Sequence, residues 1–158
     1  MEILPNIVRK MDTTCVLTNV EVNNWKEAVR ISGSLLYKAR KVSKKYIEGM
    51  IKTTNRLGPY AVIAPGIALP HSRPEDGAFD FGLSVVILRV PVDFDSPNDP
   101  VKIIIGFSAP TNSAHIQLLK ELGMLLQNKE FQKRLKHAKT PQQVVSIFKE
   151  FVIQEEGD

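Results

Sequence analysis

Apolar residues recur at two different periods along this chain, and the change of period divides it into helical ends and an extended centre. From Trp25 to about Lys38, the positions Trp25, Ala28, Val29, Ser32, Leu35 and Leu36 fall three and four apart, the spacing of one helix face. Asn23 or Asn24 stands where such a helix needs a side-chain acceptor for its first, unpaired amides. Ser43 can cap a second helix with Tyr46, Ile47, Met50 and Ile51 turned inward, closed by Gly58-Pro59. The pattern then becomes continuous. Tyr60–Ala64 and Ile67–Leu69 read as one strand interrupted at Pro65-Gly66 by a bulge or bend. Arg73–Gly77 reads as a turn, Phe81–Val90 and Val101–Ser108 as long strands, and Pro91–Pro100 as a surface loop between them. Cys15–Val20 predicts a short strand, and the residues before it indicate no clear element. Helical spacing returns from Ser113 to about Gln127, through Ile116, Leu119, Leu122, Leu125 and Leu126. It continues over Lys129–Lys136 and again after Thr140, where Pro141 takes the first helical position and Val144, Val145 and Phe148 face inward. Glu155–Asp158 reads as an acidic, frayed tail.

Strands apolar along their whole length need cover on both faces. With helices at both ends of the chain, this predicts an α/β layer fold, and the pattern leaves strand order open. A length of 158 residues, 43% of them hydrophobic, suits one domain with a substantial core. No internal repeat or dividing linker breaks it. The single cysteine, Cys15, excludes an intrachain disulfide and a Cys-rich metal site, fits a reducing compartment, and reads as a buried strand residue. The start lacks the pattern of a signal peptide, and no apolar run approaches the ~18 residues of a membrane span, so a cytoplasmic location is expected.

The formal net charge of +4 is modest. Its basic residues gather at Lys38, Arg40, Lys41, Lys44 and Lys45, and again at Lys129, Lys133, Arg134, Lys136 and Lys139. Aromatics, 7% of the chain, do not interleave with them, so both groups read as solvated helix faces or as a patch steering an acidic protein, and nucleic acid is not expected.

Candidate chemistry rests on two of the three histidines. His71 ends the apolar approach Ile67-Ala-Leu-Pro70 and opens the polar turn Ser72-Arg-Pro-Glu-Asp-Gly77. An imidazole at such a boundary is largely neutral near pH 7 and keeps one nitrogen lone pair, which suits it to carry a phosphoryl or acyl group. It is equally readable as a satisfied histidine at the core's edge. Arg73 could offer a guanidinium fork to phosphate oxygens if the turn curls back. His115 falls in the first turn of the helix after Val101–Ser108, where Thr111, Asn112 or Ser113 can cap. Free amides there favour anions and keep the imidazole neutral, so His115 could donate to a phosphoryl oxygen or to His71, or could be a plain surface histidine of the capping region. His137 sits at a basic helix end and reads as structural. No histidine pair has the spacing of a zinc site, and neither a Gly-x-Ser-x-Gly elbow nor a nucleotide-binding glycine loop is present. No metal and no cofactor is expected.

The segment Gly58-Pro-Tyr-Ala-Val-Ile-Ala-Pro-Gly-Ile-Ala-Leu-Pro-His71-Ser-Arg-Pro-Glu-Asp-Gly77 resembles the active segment of the EIIA component of the phosphoenolpyruvate-dependent sugar phosphotransferase system. The likeness is to the mannitol/fructose class and, within it, to the ascorbate-type proteins. It extends to Trp25-Lys-Glu-Ala-Val29, Asn98-Asp-Pro-Val101 and Thr140-Pro-Gln-Gln-Val144. The resemblance implies a single domain over residues 1–158, with a core of about 10–152 and a mixed central β-sheet flanked by helices on both faces. It implies that His71 takes a phosphoryl group from the phosphocarrier protein HPr and passes it to a cysteine of a cognate EIIB, for uptake through the membrane EIIC. His115 matches the family's second active-site histidine. The implied carbohydrate is L-ascorbate or a related sugar acid or pentitol. A regulatory EIIA-like protein, signalling to a kinase, transporter or transcription factor through the same phosphohistidine, is the alternative. A homodimer is left open. Mannitol-type members carry an arginine ahead of the active strand, where this chain has Thr53, Thr54 and Asn55, with Arg56 only nearby. Arg73 is then the better candidate for the charged contact, with Ser113 a second candidate phosphate contact at the helix start.

Overall fold

The apolar strands form the middle layer of the computed structural model, which describes residues 2–153. The helices are α1 (Leu4–Arg9), α2 (Trp25–Lys38), α3 (Lys44–Leu57), α4 (Asn112–Leu126), α5 (Lys129–His137) and α6 (Pro141–Val152). The strands are β1 (Val16–Val20), β2 (Val62–Ala64), β3 (Ile67–Ala68), β4 (Gly82–Val92) and β5 (Val101–Ser108). They make one mixed sheet in the order β1-β4-β5-β3-β2. β1 runs parallel to β4 and β3 parallel to β5, whereas β4–β5 and β2–β3 are antiparallel.

The central strands are covered on both sides, as their composition requires. Val85, Ile87, Ile103, Ile105 and Phe107 face the core beneath α1, α4, α5 and α6. Their neighbours Val86, Leu88 and Ile104 face the core under α2 and α3. This is the two-residue alternation of a strand with both faces apolar. The helices start where capping predicts. Asn24, Ser43, Thr111, Asn128 and Thr140 each accept a backbone N–H three positions on. Between the two asparagines and among the three residues left open by sequence, Asn24 and Thr111 are the caps.

Three elements differ from the sequence-based expectation. Pro65-Gly66 is a complete reversal: β2 and β3 pair antiparallel, and Gly66 supplies the positive φ of 74° that the tight turn needs. Cys15 closes a 3-10 turn, Thr13–Cys15, instead of entering the strand, and is half-buried. Burial pushes its thiol pKa up to about 11, against a weaker opposing hydrogen bond. Helix α1 was not foreseen. Its six residues are too few to hold a helix alone, and its stability comes from burying Leu4, Pro5 and Val8. Glu121 of α4 caps it from outside, accepting the Ile3 N–H and the Leu4 N–H at 3.0 and 2.9 Å. Glu121→Ala should therefore cost about 1–2 kcal/mol and speed amide exchange in residues 3–9 ahead of the rest of the chain. Uniform exchange in the variant would contradict this. The acidic tail at residues 155–158 lies outside the described residues.

Candidate active site

Parallel pairing of β3 with β5 brings their ends out of the sheet on the same side. The chain leaving β3 passes Leu69-Pro70 to His71, and the chain leaving β5 turns at Ala109-Pro110 into α4, which carries His115 in its first turn. The two imidazole centroids are 5.3 Å apart. Phe107, fully buried in β5, lies 5.1 Å from the His71 ring and 5.2 Å from the His115 ring, so one aromatic plate supports both.

The His71 ring is oriented by its own backbone. Its Nδ1 lies 2.8 Å from the Leu69 carbonyl oxygen. A carbonyl only accepts, so Nδ1 carries the proton and the lone pair is on Nε2. Burial is the main reason that the His71 pKa falls to about 4. The Leu69 bond opposes that shift, while His115 and the Arg56 guanidinium on the last turn of α3 add to it. His71 is therefore neutral at physiological pH. Because its folded pKa lies below the usual value of 6.5, the unfolded chain binds more protons between those limits. Stability should thus fall as pH drops from about 6.5 toward 4. Urea midpoints measured across that window should show this slope in the wild type and a shallower one in His71→Ala. Parallel slopes would contradict it.

His115 is half-buried, and its Nδ1 is buried without a hydrogen-bond partner among the described residues. Burial lowers its pKa, and the charge of Glu75 pulls it partly back. A buried polar nitrogen left unpaired costs roughly 1–3 kcal/mol, and such orphans cluster where a ligand supplies the missing partner.

Three other residues singled out in the sequence lie at the surface. Arg73 is exposed on the turn, its guanidinium 4.0 Å from Asp76. Ser113 is exposed in the first turn of α4. His137 is exposed at the end of α5, its Nδ1 2.8 Å from the Lys133 carbonyl. Phe81 is half-buried and Phe79 is 64% exposed, whereas Ile67 and Leu69, on the approach to His71, are core residues that give the site no exposed apolar rim. Exposed apolar surface comes instead from Tyr60, just ahead of the strand paired with β3, and from Ile116 beside His115. Sequence reasoning missed Phe107, hidden as one more apolar strand residue, and set Arg56 aside. The position of Phe107 near the strand end that leads to His115 was the available signal.

Residues 10–151 match the family model for the phosphoenolpyruvate-dependent sugar phosphotransferase system, EIIA 2. The chain belongs to this family. It is 36% identical over 129 residues to the ascorbate-specific EIIA component of Escherichia coli, covering 80% of this chain and 84% of that one. It is likewise 36% identical over 124 residues to the mannitol-specific cryptic phosphotransferase enzyme IIA component of the same species, covering 78% and 84%. The solution structure of that mannitol-specific protein superposes with a TM-score of 0.79 at 31% identity, covering 92% of this chain and 97% of the other. This EIIA chain is thus a phosphocarrier of sugar uptake that works through a phosphohistidine, built on a mixed sheet with helices on both faces. Among its described residues, no helix is long and apolar enough to cross a membrane.

Proposed function

We propose that His71 is the phosphorylated residue, that its donor is phospho-HPr, and that its acceptor is a cysteine of a cognate EIIB serving uptake of L-ascorbate or a related sugar acid or pentitol. The unit of function is one EIIA domain over the chain. The observation that carries this reading is the bond between Nδ1 and the Leu69 carbonyl, which leaves the Nε2 lone pair free on a neutral ring. The carbohydrate class rests on the likeness to ascorbate-specific relatives.

The chemistry balances on this one ring. The Nε2 lone pair forms a bond to phosphorus as the phosphorus–nitrogen bond of the donor histidine breaks, and that electron pair returns to the donor ring. Nδ1 keeps its proton on Leu69, so the substituted ring carries positive charge. When the EIIB thiolate attacks phosphorus, the leaving group is then a neutral imidazole and not an imidazolate. The dianionic phosphoryl group needs donors in a partly desolvated place. His115, neutral and unpaired at Nδ1, and the cations Arg56 and Arg73 are suited to that, with Ser113 at the helix start as a further contact. His115→Ala should slow transfer in both directions on the order of a hundredfold with the fold retained. Unchanged rates would remove His115 from the site.

The test is incubation with phosphoenolpyruvate, enzyme I and HPr, followed by mass analysis and by addition of the candidate EIIB. One acid-labile phosphate in the peptide containing His71, discharged by the EIIB, is expected. A chain that stays unmodified beside fully charged HPr would overturn the reading.

A further inference from the structure

Tyr46 is the largest buried polar side chain not accounted for by the chemistry above. It is fully buried on α3, and burial drives its hydroxyl pKa upward, so it stays protonated. Its oxygen lies 2.8 Å from the Phe107 carbonyl and 3.1 Å from both the Ser72 carbonyl and the Ser72 amide. A hydroxyl has one proton to give. The shortest of these contacts takes it, so Tyr46 donates to Phe107 and accepts from the Ser72 N–H. One oxygen therefore ties the residue after His71 to the strand end that leads to His115.

A second contact holds the same point from the side. Ser72 is buried, and its Oγ donates to Asp76 Oδ2 at 2.5 Å, closing the turn on itself. α3 reaches this turn only because Gly49 lacks a side chain. A methyl there would collide with Ser72 Oγ and press on Asp76 Oδ2 at 3.1 Å. Tyr46 and Gly49 lie one helical turn apart and so face the turn together.

We propose that Tyr46 is a positioning residue for phosphoryl transfer, acting through Ser72 and Phe107 to fix the His71 ring against Leu69 and to set its separation from His115. This rests on His71 being the phosphoryl carrier. The Leu69 carbonyl and His71 Nδ1 are two residues apart on a loop whose next residue is Ser72. Releasing Ser72 frees the backbone on one side of His71. The Nδ1 bond then loosens, and the proton distributes over both ring nitrogens.

The test uses Tyr46→Phe and Gly49→Ala in the full chain. The first deletes the hydroxyl at nearly constant shape, and the second displaces Ser72 without deleting any polar group, so it decides if the first does not fold. The two ring-nitrogen signals of His71 are read by 15N NMR above pH 7, alongside the rate of phosphoryl transfer from phospho-HPr. In the wild type, one signal is that of a protonated nitrogen and the other that of a bare one. In the variants the two should converge, and the maximal transfer rate should fall on the order of tenfold to a hundredfold with the half-saturating HPr concentration unchanged. A folded variant that keeps the wild-type separation of the two signals overturns the proposal, whatever its rate. Failure of the wild type to be phosphorylated on His71 would instead strike the function on which the proposal rests, and the NMR comparison distinguishes the two.

Discussion

His71→Ala should take up no detectable phosphate from phospho-HPr while unfolding at nearly the wild-type temperature. The loss should be complete, because no other side chain is fit to replace this one. Ser72 is buried and committed to Asp76. Cys15 has its thiol pKa pushed up to about 11 by burial, so its thiolate is scarce. His137 belongs to the end of α5 and is bonded to Lys133. His115 has a buried Nδ1 with no backbone acceptor among the described residues to fix which ring nitrogen keeps its lone pair. The fold should tolerate the change because, among the described residues, the one hydrogen bond of the imidazole is to the Leu69 carbonyl. Mass analysis of phosphate incorporation, with a thermal melt of the same sample, checks both halves. Phosphate appearing on another residue at a comparable rate would contradict the assignment.

Phe107→Ala should carry the largest cost in stability, about 3–5 kcal/mol, and should depress transfer as well. The ring is fully buried in the core beneath α4 and touches both imidazoles. Its removal leaves a void under the two rings whose mutual distance the proposed transfer needs, and a void in a packed core is only partly closed by relaxation. Phe107→Leu should recover part of the stability and little of the rate, since a branched aliphatic side chain fills volume without presenting a flat face. Chemical denaturation and transfer kinetics on the two variants separate the effects. Equal recovery of stability and rate in Phe107→Leu would reduce Phe107 to filler.

Much of this architecture can be read from residue patterns, for identifiable reasons. The long runs in β4 and β5 and the amphipathic faces of α2 and α3 are local statements, since period and capping residues lie within each segment. What escaped depends on partners distant in sequence. α1 is held by burial against the core and by its cap from Glu121, more than a hundred positions away. The reversal at Pro65-Gly66 follows from a glycine with φ of 74°, and a bend or bulge uses the same residues. At the site, Leu-Pro-His marked His71 and the helix start marked His115. The plate beneath them did not show, because Phe107 shares its face with Ile103 and Ile105 and reads as one more core residue of β5. Tyr46 likewise read as one more inward position of α3. Its value lies in the oxygen that reaches two segments the sequence keeps far apart. Arg56 stands one place past the expected segment, yet from the last turn of α3 its charge acts on His71.

The most direct measurement of the central claim is the site of the phosphorus–nitrogen bond in the charged protein. NMR of the 15N-histidine-labelled chain, phosphorylated through HPr, should show phosphorus coupled to Nε2 of His71, with Nδ1 still protonated. Phosphorus on Nδ1 of His71, or on any other residue, would contradict the account, because the Leu69 carbonyl holds Nδ1 as a donor.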